Sequence, residues 1–437
     1  MSGILRRKAY LIGLLLGLGA ASASAQSVTL SAEIRPRTEF RNGFKSPIQR
    51  GEQPAVFTEQ RSRIYLGFSQ DRLTVQLSAQ DVRIWGNTNQ IYKTDPSLFN
   101  MFEAWASYSL SPNMNIKIGR QALDYDNARF LGDLDWAQQG RSHDALLLTY
   151  EDTLGYKVHL GTGFNQQVAF EPGKLSGNYY ELEGNYKAMQ FVWLHKSYAS
   201  SRISFLFLND GRQDLTLSQP QSRVNFRQTY GFYGEKNTGS LNFTGELYHQ
   251  GGKDPSGRTN SAWLLAGALT LKTKSIPLTL GADYLTGTAP GAATNRSFDP
   301  LYGTNHKFYG LMDLFYVGSP HGQSGLSAGL QNYYLKSNIS LFPGSSLLVH
   351  LHHFSSAVSV YEPENTQTRM GSDLGQEIDL VFVSRISPEI TFNLGYSHLF
   401  ASRSLAALKG KDNLSPVQNW AWAMISFRPS INLANLR

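Results

Sequence analysis

The 437-residue chain contains no cysteine, so it reaches its fold without structural disulfides, which suits a protein that passes through an oxidising compartment. After the first 25 residues no apolar run approaches the roughly 20 residues of a membrane-spanning helix, and the mean hydropathy is −0.31. These absences exclude a helical membrane protein. Linkers rich in proline or serine and shifts of composition are also lacking, which favours one large domain over several small ones.

An excess of charge of one sign is lacking as well. The formal net charge is +7, but three of the basic residues, Arg6, Arg7 and Lys8, lie in the first 25 residues, and without them 37 basic residues stand against 33 acidic ones. A dedicated nucleic-acid-binding protein would carry more basic residues in clusters, so no nucleic-acid partner is expected. Aromatic residues (12%) and glycines (40) are abundant, as is typical of β-barrels with aromatic girdles.

The N-terminal segment has the three parts of a secretory signal peptide. A basic start is followed by an apolar run of about ten residues and by Ala23-Ser24-Ala25, a small-residue cleavage site. We therefore predict a signal peptide at residues 1–25 and one β-barrel domain at 26–437. No cysteine follows the cleavage site, which excludes a lipoprotein anchor.

Strict alternation of apolar and polar residues predicts β-strands with one apolar and one polar face. One hairpin is visible between Phe102 and Gln121, with its turn at Ser111-Pro112-Asn113. Its predicted apolar face comprises Phe102, Ala104, Ala106, Tyr108, Leu110, Met114, Ile116 and Ile118. The opposite face carries polar residues, among them Glu103 and Lys117.

The same pattern predicts eighteen strands along the chain. They cover roughly 27–40, 58–69, 73–85, 101–110, 114–122, 144–151, 156–165, 187–196, 202–209, 226–235, 240–250, 261–271, 276–286, 326–337, 345–355, 376–384, 389–400 and 419–428. Short turns alternate with long loops throughout, which is the pattern of outer-membrane barrels. The stretch 305–317 could form a nineteenth strand, but it would break this alternation, so we predict ordered structure within a long outer loop.

In hydrocarbon every backbone N–H and C=O must be paired within the protein, so a sheet can span only when it closes on itself. The predicted fold class is therefore all-β, a transmembrane antiparallel up-and-down barrel whose last strand pairs with its first. Eighteen strands enclose a lumen too wide for side chains to fill. We predict that the long loops 124–143 and 287–324 narrow it, because their large apolar residues are better packed inside the mouth than left in water.

Two blocks of sequence carry a family resemblance. The first runs from Gly119-Arg120-Gln121 through Phe130-Leu131-Gly132-Asp133-Leu134-Asp135-Trp136 to Gly140-Arg141-Ser142-His143-Asp144-Ala145, and the second spans residues 298–313. These blocks resemble bacterial outer-membrane porins of the alginate-export family. The resemblance extends over most of the mature chain. It implies a barrel fold and a channel, but one fold carries many cargoes, so the alginate of the family name transfers weakly.

The polar faces of the strands provide the candidate pore-lining residues. Arg35 and Arg37 on strand one and Arg61 and Arg63 on strand two are predicted to form a basic wall. Further candidates for that side are Lys117 and, if a bulge after Gln80 shifts its strand, Arg83. Arg120 either sits at the outer rim or is turned inward by a bulge near Gly119, and the resemblance favours the inward role. The opposite wall is predicted to be acidic and to contain Asp283, Glu377 and Asp379. The alternative is that these residues form lateral ion pairs that hold the barrel round.

Other groups of residues are interpreted as structural rather than as metal-binding, catalytic or sugar-binding. His350 and His352 share one face of a strand, but sequence spacing indicates no third ligand, so no metal and no cofactor are predicted. Ser142-His143-Asp144 contains the residue types of a catalytic triad, yet neighbours on a strand point to opposite faces, so no catalysis is expected. The aromatics Tyr65, Trp85, Trp105, Trp420 and Trp422 are interpreted as girdles at the membrane interfaces rather than as sugar platforms.

The sequence thus predicts a passive channel in the outer membrane of a Gram-negative bacterium, for polar solutes that are anionic or saccharide. The expected partners are outer-membrane lipid and lipopolysaccharide, a small polar or oligosaccharide solute and, for an exporter, periplasmic export components. The alternative is a barrel that transports nothing and acts through its loops as an adhesin, a receptor or an embedded enzyme.

Overall fold

The structure, a computed structural model, describes residues 26–87, 99–167, 185–214, 216–217, 223–274, 276–323, 325–363 and 367–433. The predicted signal peptide lies outside these residues. The strands are β1 (Gln26–Asn42), β2 (Ala55–Gln70), β3 (Leu73–Ile84), β4 (Phe99–Ser111), β5 (Met114–Gln121), β6 (His143–Glu151), β7 (Tyr156–Phe164), β8 (Ala188–Ser197), β9 (Ser201–Gln213), β10 (Val224–Asn237), β11 (Leu241–Gly252), β12 (Ala262–Leu271), β13 (Leu278–Leu285), β14 (Leu330–Phe342), β15 (Ser345–Ser355), β16 (Asp373–Arg385), β17 (Ile390–Ala401), β18 (Asn419–Phe427) and β19 (Ser430–Asn432). One short helix, α1 (Arg403–Leu408), precedes β18.

Consecutive strands pair antiparallel, and β1 pairs with both β2 and β18, so the sheet closes as predicted. The prediction of a closed barrel of eighteen strands is confirmed, because β19 is a continuation of β18. Ile34 pairs with Phe427 and Ser31 with Ser430, which is one unbroken register along β1. Pro429 has no N–H to donate to the ladder, which accounts for the interruption between the two segments.

Alternation along β1 illustrates how the two faces of the wall form. Arg35 and Arg37 are 2% and 4% exposed, whereas Ile34, the residue before Arg35, is 49% exposed. The outward face of the other strands is likewise apolar, with exposed Ile64, Leu77 and Leu160. A slip of one residue would turn the arginines outward, at about 2 to 4 kcal/mol each near the middle of a bilayer, which fixes the register.

Turns and loops alternate as predicted. Both described chain ends lie at the end of the barrel where the short turns are, since Gln26 pairs with Gln70 beside the first turn and Asn432 pairs with Thr29. The stretch 305–317 is loop, as predicted, and its only regular element is a 3-10 turn, Asn305–Lys307. Among the described residues, no helix is long and apolar enough to cross a membrane.

Two long loops turn into the barrel and bring a hydrophobic core with them. Residues 122–142, here called the inner loop, join β5 to β6, and residues 286–329, the second loop, join β13 to β14. Their buried apolar side chains pack against inward-facing wall residues such as Leu264, Leu285 and Phe354. The loop residues in this core include Leu123, Phe130, Leu131, Phe298, Tyr309, Met312, Leu314 and Phe315. The predicted inward packing of these loops is what the structure shows.

One predicted face is wrong at Phe102. Ser78 pairs with Glu103 but Ala79 pairs with Met101, so β4 contains a bulge and Phe102 is the extra residue. The bulge turns the ring inward, where it is 8% exposed and lies under the Arg63 guanidinium, 3.5 Å from the ring centroid. An inserted residue shifts the phase of the alternation, which the period-2 pattern alone does not reveal.

The absence of native cysteine permits a direct test of this topology. Gln53 lies in the long loop between β1 and β2, and Asn113 lies in the short turn between β4 and β5, and both are exposed. We expect a membrane-impermeant maleimide to label Gln53→Cys on intact cells and to label Asn113→Cys only after lysis. Labelling of Asn113→Cys from outside would contradict the assignment of short turns to the periplasmic side.

Candidate functional site

The inner loop has an unusual backbone that only its surroundings can maintain. Asp126, Ala128 and Leu134 have φ of 55°, 66° and 52°, a region that non-glycine residues rarely adopt. Each such residue costs about 1 to 3 kcal/mol unless neighbouring contacts over-determine its conformation. Those contacts are made at both ends of the loop, on opposite parts of the barrel wall.

At one end, Asp135 binds the predicted basic wall. Arg61 Nη2 donates to Asp135 Oδ1 at 2.7 Å and to Glu33 Oε2 at 2.8 Å. Arg35 Nη1 donates to the Asp135 carbonyl at 2.8 Å, and its Nη2 donates to Gln138 Oε1 at 3.0 Å. The predicted wall thus exists, but the tip of the inner loop covers it.

Charge explains why this contact is stable. Burial raises the pKa of the Asp135 carboxyl, but the guanidinium groups of Arg61 and Arg35 outweigh burial and hold that pKa below its usual value. An acid with a lowered pKa in the folded state contributes stability above its unfolded pKa, and this contribution is lost as the pH falls through the folded pKa. The anchor is therefore intact at neutral pH and weakens only in acid.

Trp136 extends the contact toward the outer end of the basic wall. Arg37 Nη1 donates to the Trp136 carbonyl at 2.9 Å, and its guanidinium lies 4.4 Å from the indole centroid. The indole also packs against Trp420 and Trp422 of β18, at 5.9 and 4.8 Å between ring centroids.

The girdle interpretation is therefore wrong for Trp420 and Trp422, which point into the lumen and are buried. Tyr65 and Trp105 also lie on inward faces, beside a lumenal cavity. Trp85 differs, since it is 59% exposed and follows the end of β3.

At its other end the inner loop is anchored by Arg129. This guanidinium donates to Glu246 Oε1 on β11 at 2.9 Å and to Asp283 Oδ1 on β13 at 2.9 Å. Arg129 is 3% exposed and Tyr309 also accepts from it. Burial alone would lower the pKa of Arg129. The opposite effect of the Glu246 and Asp283 carboxylates is larger and raises that pKa above its usual value, so the group stays charged. The inner loop thus connects β1 and β2 with β11 and β13 across the lumen.

The two loops hold each other. Gly132 N donates to the Tyr302 carbonyl at 3.1 Å and Thr304 N donates to the Ala128 carbonyl at 2.8 Å. At Gly303 a Cβ atom would lie 2.1 Å from the Arg129 carbonyl oxygen, so only glycine fits there. The pair of loops therefore acts as one packed layer inside the barrel.

The second loop covers the predicted acidic wall. Met312 N donates to Glu377 Oε1 at 2.9 Å, and Leu311 N donates to Asp379 Oδ2 at 3.4 Å. The two carboxylates are 0% and 1% exposed. Asp283, the third predicted member, binds Arg129. The predicted acidic wall does not directly face the basic one. The loops lie between Asp283 and the arginines, and Glu377 and Asp379 are on β16, which only β17 and β18 separate from β1.

Arg83 does not join the basic wall. The β2–β3 register is continuous from Glu59 with Ile84 to Gln70 with Leu73, so no bulge shifts the phase after Gln80. Arg83 consequently lies on the outward face and its Nε donates to Asp81 Oδ1 at 2.6 Å.

Arg120 also faces outward, contrary to the inward role that the resemblance favoured. Its strand keeps continuous register with both neighbours at this position. Gly119 allows close approach rather than a bulge, since a Cβ there would lie 2.2 Å from the Ala104 carbonyl oxygen. At the outer end of β5, Arg120 Nη1 donates to Asp144 Oδ2 at 3.0 Å.

Lys117 faces inward as predicted, with its Nζ 3.8 Å from the Trp105 ring centroid. Below Asp135, toward the short turns, this side of the lumen contains a cavity of about 590 Å³. It is lined by Ser31, Ala32, Glu33, Tyr65, Gln76, Glu103, Trp105, Asp135, Arg428 and Ser430. Arg428, which the strand pattern did not single out, donates to Glu33 Oε1 at 2.9 Å.

The residues that sequence reasoning missed are mostly in the inner loop. Arg129 and Asp135 decide which wall charges are neutralised, yet no periodic pattern marks a loop residue that reaches across a lumen. The available signal was the concentration of Asp and Arg in the block 124–144 between two strands. A loop of this length with charges of both signs is more often functional than a simple connection.

A closed antiparallel barrel with an apolar exterior and long loops folded into a polar lumen belongs to the class of outer-membrane channel proteins. The chain is a member of the Alginate export family, whose sequence profile matches residues 26–412. The resemblance in the two blocks is thereby confirmed. Family and fold support an outer-membrane channel and an outer-membrane location, and they are those of a transport protein rather than an enzyme.

Solved structures of Pseudomonas aeruginosa proteins share the fold. The outer membrane protein OpdK aligns with a TM-score of 0.59 at 10% identity, over 92% of this chain and 99% of its own. OpdL aligns with a TM-score of 0.58 at 11% identity, over 94% and 99%. A structure of OpdK with vanillate gives 0.57 at 10% identity, over 92% and 99%. No curated protein sequence matches the chain significantly.

Proposed function

We propose that the protein is a passive outer-membrane channel for small or chain-like polar solutes that are anionic or saccharide. The exterior of the barrel contacts outer-membrane lipid and lipopolysaccharide, and the lumen provides the route. Solutes pass the layer formed by the inner loop and the second loop, which is the narrow part of that route.

The observation that carries this proposal is the distribution of charge around the lumen. Among the described residues, the ion-pair network on the β1–β2 side contains six arginines and four carboxylates, a surplus of two positive charges. They are Arg35, Arg37, Arg41, Arg61, Arg63 and Arg428 with Glu33, Glu39, Glu59 and Asp135. Across the lumen, Arg129 forms ion pairs with Glu246 on β11 and Asp283 on β13. Glu377 and Asp379 lie between these two sides, on β16, which β17 and β18 separate from β1. The resulting field acts on solute charges as in other charge-lined pores.

The cavity below Asp135 supports a carboxylate or a sugar as the solute. Tyr65 and Trp105 present aromatic surfaces there, next to Arg428, whose side chain is 55% exposed. Sugars stack on such surfaces, and carboxylates bind such guanidinium groups. Vanillate, which accompanies OpdK in one of the similar structures, is itself a carboxylate. The family name points to a polymer of uronates.

Recording from the purified protein in planar bilayers tests the proposal. A passive channel gives stepwise, ohmic increases in conductance, and uronate oligomers reduce the current. The absence of conductance over a wide range of voltage and salt would favour the alternative, a barrel that acts through its outer loops without transporting solute.

Replacing Arg35, Arg61 and Arg63 together with Ser should change ion selectivity. The triple change removes three positive charges from a side whose surplus is two, so we expect the reversal potential in a salt gradient to shift toward cations. Block by uronate oligomers should weaken, and more strongly at low salt, where screening is weaker. A matched control is Arg258→Ser, which removes an exposed arginine between β11 and β12. Equal reversal potentials before and after the triple change would show that the wall arginines are structural ion pairs.

A further inference from the structure

A row of chemistry-bearing side chains crosses the inner wall on β14, β15 and β16. His350 pairs with Asp379 and His352 pairs with Glu377 in the β15–β16 ladder, so all four point to the lumenal face. One donor atom each of His350, His352 and Asp379 lies within 4.8 Å of the others. The spacing of the two histidines alone indicated no third ligand, and strand pairing supplies it in Asp379, which is 27 residues away from His352 along the chain.

The protonation state of His352 follows from its neighbour on β14. Asn332 Nδ2 donates to Asp283 Oδ2 at 2.8 Å and to the Phe308 carbonyl at 3.2 Å, so its amide orientation is determined. Asn332 Oδ1 must therefore accept from His352 Nδ1, at 2.8 Å. This places the proton on Nδ1 and leaves the Nε2 lone pair free. Histidines that bind metals are oriented in this way, by a hydrogen bond from the other ring nitrogen.

The free nitrogen of His352 is aimed at a carboxylate. His352 is 3% exposed, and its Nε2 atom is buried without a hydrogen-bond partner. This atom lies 4.0 Å from Asp379 Oδ2. Two acceptors facing each other in a buried space are unfavourable unless a cation or a proton lies between them. The second carboxylate, Glu377, also has a buried oxygen, Oε2, without a hydrogen-bond partner.

Two histidine nitrogens and one carboxylate oxygen are the donor set of a borderline metal ion. Zn²⁺ binds such ligands at about 2.0 to 2.2 Å in tetrahedral sites that leave the fourth position to water. Donor atoms in such a site lie about 3.4 Å apart, so shifts of about 1 Å would close the present spacing. His350 is half-buried and lies nearer the short-turn end of β15, which provides access from that side. Lys336 is paired with His350 across the strands, and the carboxylates of Asp283 and Asp379 offset its charge.

We infer that His350, His352 and Asp379 form a lumenal binding site for one first-row transition-metal dication, of which Zn²⁺ is the best probe. The bound ion joins β15 to β16 beneath the second loop and completes its coordination with water. The site lies on β15 and β16, which β17 and β18 separate from the arginines of β1. It does not depend on which solute the channel carries.

Calorimetric titration of Zn²⁺ into untagged, chelator-stripped full-length protein in detergent tests this inference. We expect one equivalent of Zn²⁺ to bind to the unaltered protein. Titration with Co²⁺ should give the absorption bands of a tetrahedral site, and these should saturate at one equivalent as well. His352→Ala and Asp379→Asn should each weaken binding by at least about tenfold, since each removes one of three protein ligands.

The matched control is His353→Ala. This histidine is the next residue on the opposite, outward face, where its Nε2 lies 3.9 Å from Asp373. Its removal should leave Zn²⁺ affinity unchanged. His350→Gln, at the half-buried position, decides the matter if the His352 variant fails to fold, as judged by circular dichroism. The inference would be overturned if Zn²⁺ does not bind stoichiometrically. It would also be overturned if His353→Ala abolishes binding while the His350 and His352 variants retain it.

Discussion

Deleting residues 128–138 should raise single-channel conductance by about twofold or more, because conductance depends on the narrowest segment of a pore. The deletion removes both anchors of the inner loop, Arg129 on the far wall and Asp135 on the basic wall. It also uncovers Arg35 and Arg61, so we expect anion selectivity to increase together with the conductance. Single-channel recording in planar bilayers measures both.

A matched control for this deletion uses a segment of similar character that does not enter the lumen. Residues 289–293 form an exposed tip of the second loop, and their replacement by glycine and serine should leave conductance unchanged. Barrel integrity of both variants can be checked by circular dichroism. A folded deletion variant with unaltered conductance would show that the inner loop does not limit the current.

Arg129→Met should destabilise the protein by about 3 to 5 kcal/mol, since it leaves two buried carboxylates without their cation. Glu246 and Asp283 are 7% and 3% exposed, so water cannot replace the guanidinium. We expect a lower midpoint of denaturant-induced unfolding in detergent, and larger, noisier currents from a loosened inner loop.

A variant in which the two carboxylate partners of Arg129 are also neutralised separates the effect of lost charge pairing from the effect of lost packing. Adding Glu246→Gln and Asp283→Asn to Arg129→Met removes the unpaired charges, and most of the lost stability should return. Lys157→Met breaks an ion pair with Glu151 in which both side chains are exposed, and it should change stability by less than about 1 kcal/mol. If Arg129→Met is as harmless as that control, the far-wall anchor contributes little.

Strand content, strand number and barrel closure were predictable because each follows from local pattern. A period of two residues is visible wherever one face is apolar, and the alternation of short turns with long loops is counted directly along the chain. The inward direction of Arg35, Arg37, Arg61 and Arg63 followed from the same alternation, and burial of all four confirms that direction.

Prediction failed where the period had to be adjusted by assumption. A bulge was proposed near Gly119 and after Gln80, where the ladders are regular, and missed at Phe102, where the ladder is shifted. Bulges depend on how many residues the neighbouring strand supplies to the pair. That number is a property of two segments together, and the pattern of one strand does not contain it.

Local periodicity and connection lengths were sufficient for the barrel, its closure and the polarity of its two faces, because each depends on neighbouring residues and on the rule that backbone groups in lipid must be paired. The layer inside the lumen was decided only by the tertiary structure. Asp135 meets Arg61 across 74 positions and Arg129 meets Asp283 across 154, and no local pattern encodes contacts at such separations. The same holds for Asp379 beside His352, since a third ligand contributed by a neighbouring strand becomes apparent only when the two strands pair.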